Sequence, residues 1–173
     1  VDVTAHAAVE YNYSSNDRRH LNGIIDGITD NSYNGHKPYY SYVSGELLAE
    51  DWYELRFGEL VEFDRVVFYE GDIDWGGINS YVRDDALDGG FFEDLRVEIF
   101  RAGQWTQPQQ LSMSPALDKH KMYQVITFDF APTLGTAVRI IGTPGGEKKF
   151  TTIMELETYG QLNPDIFGDA DNS

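Results

Sequence analysis

Alternating apolar and polar positions, or short unbroken runs of β-branched and aromatic residues, recur along the chain. They fall at Val3–Val9, Trp52–Phe57, Arg65–Tyr69, Leu95–Phe100, Met122–Phe128, Ala137–Gly142 and Ile153–Tyr159. Successive side chains of a strand point to opposite faces, so each run predicts a strand with one face against a core. In Trp52-Tyr-Glu-Leu-Arg-Phe57 the pattern assigns Trp52, Leu55 and Phe57 to the inner face, with Gly58 and Glu59 turning into the next strand. Turn-rich segments with Gly71, Gly76, Gly77, Gly89, Gly90, Gly103, Gly145 and Gly146 separate the runs. No segment keeps helical periodicity over three turns, and Leu21–Ile25 predicts one short turn. Seven or eight strands with long loops predict an all-β fold, a jelly-roll β-sandwich. There is no internal repeat.

Composition narrows the picture. A chain of 173 residues fits one domain able to bury a substantial core without disulfides, and it has no cysteine, which removes thiolate chemistry and thiolate metal sites. A formal charge of −16 argues against nucleic acid and makes a membrane partner unlikely, because phosphates are bound by clustered Lys and Arg. Most of the carboxylates read as solvated surface. No apolar run approaches the ~20 residues that span a bilayer. The opening on Val1 without Met implies a removed leader or a piece excised from something larger.

Two distant segments carry candidate chemistry. Asn22-Gly-Ile-Ile-Asp-Gly-Ile-Thr-Asp-Asn-Ser-Tyr33 is a Gly-broken loop rich in oxygens, and Met154-Glu-Leu-Glu-Thr-Tyr-Gly160 is a strand with a carboxylate near its start. Hard oxygen donors from a loop plus a distant Glu are what Ca²⁺ requires, since it takes six to eight oxygens at about 2.3–2.6 Å. The plainer alternative is an Asx turn at Asp26-Gly27, with Glu155 on an exposed strand edge. The last residues differ in character. Asn163–Gly168 reads as a linker, and Asp169, Asp171 and Ser173 stand at alternate positions of an incomplete calcium loop. That ending resembles the opening of a dockerin repeat, and an acidic tail explains it equally well. The expected division is a domain over 1–160 and a linker with a truncated dockerin start over 161–173.

From about Val3 to Gly160 the chain resembles a discoidin domain (coagulation factor 5/8 type C), most closely a family 32 carbohydrate-binding module. The resemblance rests on Asn22 to Tyr33, Trp52 to Gly58, Val138-Arg139-Ile140, and Glu155-Leu-Glu-Thr-Tyr-Gly160. Tyr33, Asn31 and Phe57 depart from the usual Trp, Thr and Leu. It implies a structural Ca²⁺ held by the carbonyls of Gly23, Ile28 and Met154, by Asn31, and by the carboxylates of Asp26 and Glu155. It also implies a sugar site in loops at one end of the sandwich. The candidates there are His36 and Tyr39 after the calcium loop, Asp72, Trp75, Asn79 and Arg83 in the long loop from Glu70 to Phe92, and Phe150 before the last strand. Each has a plain alternative: surface His36, Tyr39 with one face buried, Trp75 folded over the sandwich edge, Arg83 paired with Asp84 or Asp85, Phe150 capping the core. Glu70 stands where relatives carry an Arg.

The expected function is therefore a non-catalytic module that binds the terminal sugar of a glycan or polysaccharide. It would be a monomeric part of a secreted, multimodular polysaccharide-degrading enzyme, cellulosomal if the dockerin is real. The alternative is a structural or protein-interaction module of the same fold; discoidin-type lipid binding ranks third. An enzyme is not expected. The acid pairs Asp72/Asp74, Asp84/Asp85 and Glu93/Asp94 are what any acidic surface produces, and no nucleophile elbow or zinc pattern is present.

Overall fold

A computed structural model of the chain describes residues 1–11, 21–29, 39–41, 45–71 and 89–162. Its strands are β1 (Ala7–Tyr11), β2 (Tyr39–Tyr40), β3 (Asp51–Glu70), β4 (Arg96–Arg101), β5 (Gln104–Thr106), β6 (Ser112–Ser114), β7 (Val125–Gly142) and β8 (Thr152–Leu162). Short 3-10 turns lie at Thr4–His6 and Leu21–Ile24.

Two long strands organise the fold. The sequence pattern divides Trp52–Phe57 from Arg65–Tyr69 by a turn at Gly58-Glu59. The structure instead carries one strand of 20 residues straight through. Register breaks between Arg56 and Val61, and between Phe63 and Arg65, absorb the change of direction. Bulges bend and twist a strand without ending its pairing, so β3 serves two layers. Asp51–Arg56 pairs with the second half of β7, flanked on its other side by β1. Val61–Glu70 pairs with β8 and with the first half of β7. One layer is thus β1-β3-β7-β4-β5 and the other β2-β8-β3-β7-β6. This is the predicted all-β jelly-roll sandwich.

The inner faces of both layers meet in an aromatic and β-branched core. Tyr53, Leu55 and Phe57 of β3 face Val97, Ile99, Val138 and Ile140 within their own layer's inner surface, and Phe68, Phe92, Ile126, Phe128 and Leu156 belong to the same cluster. Trp52 is half-buried and outside that cluster, correcting its assignment to the inner face. Odd and even positions of a strand point opposite ways, so Trp52 cannot share a face with Leu55. Tyr53 takes the place because its hydroxyl finds a buried partner, Thr151 Oγ1 at 2.8 Å.

The first predicted strand begins later than its pattern suggests. Asp2 Oδ1 accepts from the Thr4 N–H at 2.9 Å, and the Thr4 hydroxyl accepts from the Thr158 N–H at 2.8 Å. These side-chain bonds supplement a short backbone bridge, in which the Val3 N–H donates to the Thr158 carbonyl at 3.0 Å. At the other end of the domain β8 continues past Gly160 to Leu162, pairing Gln161 with Glu62 and Leu162 with Val61. Gly160 N–H donates to the Val1 carbonyl at 2.8 Å, so the first residue lies beside the last part of β8's pairing, two residues before its end at Leu162. Residues 163–173, with the dockerin-like ending, lie outside the described residues.

Candidate ligand-binding end and metal centre

Two of the six expected metal ligands are carboxylates, and the fold brings their segments together. The turn after Leu21–Ile24 lies against β8, where the Gly27 N–H donates to Glu155 Oε1 at 3.2 Å. Asp26 Oδ1 accepts from the Ile28 N–H at 2.9 Å, which forms the Asx turn expected at Asp26-Gly27. Gly27 has φ of +76°, in the left-handed region that glycine adopts without strain. Glu155 is not on an exposed edge: it is 1% exposed, and its Oε2 has no hydrogen-bond partner. Burial, chiefly, pushes its carboxyl up to about 8, helped by the nearby Asp26 and Glu157 charges and opposed by the Gly27 N–H. The register of β8 on β3 also breaks here. Tyr69 stands opposite Glu155 and Glu70 opposite Ile153, which leaves Met154 without a partner residue across β3. A bulge of this kind frees a backbone position from the ladder.

A buried, under-satisfied carboxylate beside a second carboxylate and a bulged backbone suits a hard cation. Of the expected ligands Gly23, Asp26, Ile28, Met154 and Glu155 are described, the first three in the turn that meets β8 through the Gly27–Glu155 hydrogen bond, and Asn31 lies outside the described residues. Among the described residues no group of three or more His, Cys, Asp or Glu forms a metal cluster. Two carboxylates with backbone carbonyls nearby make an oxygen donor set, of the chemical kind a hard cation takes.

The end of the sandwich that bears the loops is stitched tightly at its base. Gly90 N–H donates to the Phe150 carbonyl at 2.8 Å, Thr152 Oγ1 to the Gly90 carbonyl at 2.8 Å, and Gly145 N–H to the Phe91 carbonyl at 2.7 Å. Beneath them lies a polar network that sequence reading missed. Buried Asp51 Oδ2 accepts from Ser41 Oγ and Thr151 Oγ1, each at 2.5 Å, while Oδ1 accepts from its neighbour's Trp52 N–H at 2.9 Å. Nothing in the local pattern signals it, because its members are 10 and 100 residues apart in sequence. A second missed element is the segment before β7. Gln124 donates to Glu70 Oε2 at 3.0 Å and to the Lys121 carbonyl at 3.2 Å, and accepts from the Asp118 N–H at 2.9 Å. An open hollow of about 600 Å³ lies there, lined by Glu93, Leu117, Lys119 and Lys121 among others.

Of the expected sugar ligands, His36, Asp72, Trp75, Asn79 and Arg83 lie outside the described residues. The two that are described do not offer a stacking face. Tyr39 is 6% exposed, with its ring edge-on to Tyr53 at 5.9 Å and 88°. Phe150 is 1% exposed and packs so closely on Gly89 that a Cβ there would stand 2.6 Å from the ring. Both rings were expected from the sequence as candidate sugar platforms; burial assigns them to the base of the loops. Glu70 is likewise buried, held by Gln124. Of the acid pair Glu93/Asp94, Asp94 accepts from the Thr143 N–H at 3.2 Å and its hydroxyl at 2.8 Å, a turn anchor. No helix among the described residues is long and apolar enough to cross a membrane.

No protein-family model matches the chain, and no curated protein does. Solved structures do. The family 32 carbohydrate-binding module of Clostridium perfringens NanJ, solved with galactose, matches with a TM-score of 0.63 at 12% identity, over 91% of this chain and 96% of that one. A structure of the Streptococcus pneumoniae β-galactosidase BgaA matches with 0.68 at 11% identity, over 90% and 92%. A family 32 module of a Clostridium perfringens family 89 glycoside hydrolase, solved with GalNAc-β-1,3-galactose, matches with 0.62 at 12% identity, over 92% and 99%. At these identities the likeness is one of fold.

Proposed function

We propose that this protein is a non-catalytic carbohydrate-binding module of the family 32 type, carrying a structural calcium and directing an attached polysaccharide-active enzyme to its glycan outside the cell. The observation that supports it most is the length of the likeness: sugar-binding sandwiches align over nine-tenths of this chain, 91% in the galactose-bound case. At the loop-bearing end the described segments 89–91, 145 and 150–152 are bonded to one another, and the sugar contacts are assigned to side chains of the neighbouring loop sequences. His36, Trp75, Asn79 and Arg83 are the side chains we assign to hydroxyl contacts and stacking, with Asp72 as a hydroxyl acceptor.

Asp26 and Glu155 would hold the calcium with the carbonyls of Gly23, Ile28 and Met154 and an oxygen of Asn31. The ion supplies the positive charge that buried Glu155 lacks. These residues join the 21–29 turn to β8, so the ion's role is to pin the turn to the sheet and not to touch sugar. An ion bound only by the folded state stabilises by mass action. Calcium should therefore raise the melting temperature over chelator, and Asp26→Ala should erase the difference; identical curves for the wild type in both would remove calcium from the account.

The sugar reading is tested by a glycan and polysaccharide array in millimolar Ca²⁺. A hit on one terminal sugar or polysaccharide class, lost in Trp75→Ala, is the expected result. A blank array from folded protein favours the second reading, a structural or protein-interaction module. One observation speaks for that reading: Tyr39 and Phe150 are spent on the core.

A further inference from the structure

The outward face of the β3-β7-β4-β5 layer is not the solvated polar surface that an exposed sheet face carries. Arg139 of β7 stands with its guanidinium 4.2 Å from the centre of the Trp105 ring and 5.8 Å from that of Trp52. Phe100 lies tilted against Trp105 at 5.1 Å, and Arg56 sits over Phe100 at 5.5 Å. Under these rings Ala137 and Ile141 are fully buried without belonging to the interior cluster. The alternation of β7 sends both outward with Arg139, while Val138 and Ile140 enter the core. The face thus has an apolar floor, half-buried rings above it, and charged groups that are fixed in place. Glu98 does the fixing: it accepts from Arg139 Nη2 at 2.6 Å and from Arg96 Nε at 3.0 Å.

We infer that this face is a second carbohydrate-contact surface, taking the continuing chain of an uncharged polysaccharide whose end sits in the loops; the inference rests on the sugar-binding reading above. Three features select that occupant. The Trp52 and Trp105 rings, from β3 and β5, flank Arg139 at no more than about 10 Å from one another, and Phe100 adds a third ring beside Trp105, a row that suits a chain better than a single sugar. Fixed arginine–glutamate pairs present planar donors and acceptors to hydroxyls while aromatic faces take C–H surface. The charges balance, with Arg56, Arg96 and Arg139 against Glu50, Glu54 and Glu98. In a chain of formal charge −16, a neutral face fits a neutral polymer better than a polyanion or a basic peptide. At one edge of this face, Trp52 directly follows Asp51 of the buried polar network.

The test is calorimetry of the full chain with hexasaccharides of glucose, xylose, mannose and galactose, each against its own monosaccharide. One hexasaccharide should bind at least about ten-fold more tightly than its monosaccharide. Trp105→Ala should abolish that gain and leave monosaccharide binding unchanged, and Trp105→Phe should retain most of it. A hexasaccharide affinity unaltered in Trp105→Ala overturns the sheet-face site while leaving the loop site standing. No binding of any sugar in the panel overturns the sugar reading, and this inference with it. Should Trp105→Ala fail to fold, the wild type decides through its Trp105 indole N–H resonance, assigned by its absence in Trp105→Phe. A shift on adding the bound hexasaccharide supports the site; a stationary resonance overturns it.

Discussion

Glu155 shows how one side chain can be costly to a fold and still belong to it. Its folded carboxyl is pushed up to about 8, so its contribution to the metal-free fold is complete below the ordinary glutamate range and is lost as pH rises through about 8. In chelator the melting temperature should therefore fall between about pH 4.5 and pH 8 through this group. Glu155→Gln should flatten that fall and also remove the calcium response, which scanning calorimetry in calcium and in chelator would read. A steep fall persisting in Glu155→Gln would assign the pH dependence elsewhere. Phe150 carries the opposite lesson. Because its ring is buried against Gly89, Phe150→Ala should cost about 3–5 kcal/mol, read as a lowered urea midpoint. Any loss of sugar binding in that variant would then report unfolding and not a missing contact.

Close packing between elements sets the second group of expectations. Gly160 of β8 passes the Glu62 backbone with no room for a side chain, since a Cβ there would stand 3.0 Å from the Glu62 carbonyl carbon and nearer still to its oxygen. Gly160→Ala should cost about 1–3 kcal/mol, as overpacking does, with the denaturant midpoint moving and the slope unchanged. A neutral result would show that β8 can slide on β3. The strands themselves were largely legible, because period-two patterning follows directly from which face is buried. What escaped was continuity. Gly58-Glu59 reads as a turn, yet bulges carry β3 through it, and a bulge leaves no local signature when both flanks stay strand-like. The short strands β2, β5 and β6, of two or three residues, are too brief for any period to show. At the site the Asp26-Gly27 turn and its distant Glu155 were readable as residue types. Asp51, Ser41 and Thr151 were not, because long-range pairing creates that network and no spacing encodes it. The burial of Tyr39 and Phe150 escaped for the same reason: an aromatic flanking a loop reads alike as a platform or a plug.

For the molecule as a whole, the formal charge of −16 means that acidic groups repel one another in the compact state. Raising sodium chloride at constant pH in chelator should raise the melting temperature, since exposed charges are screened within about 10 Å at 0.1 M. A melting temperature that falls with salt would show that ion pairs such as Arg65–Asp129 outweigh the repulsion. The contact of Gly160 with Val1 has a bearing of a different kind. β8 starts at Thr152 among the loops and runs 11 residues, roughly 35 Å at ~3.3 Å each, to the end where Val1 lies. Both tips of the described chain are thus at the end away from the loops. Anchored there to a bead, a surface or a neighbouring domain, the body would hang like a lamp on its cord, with the end where β8 begins turned outward whichever tip is tied.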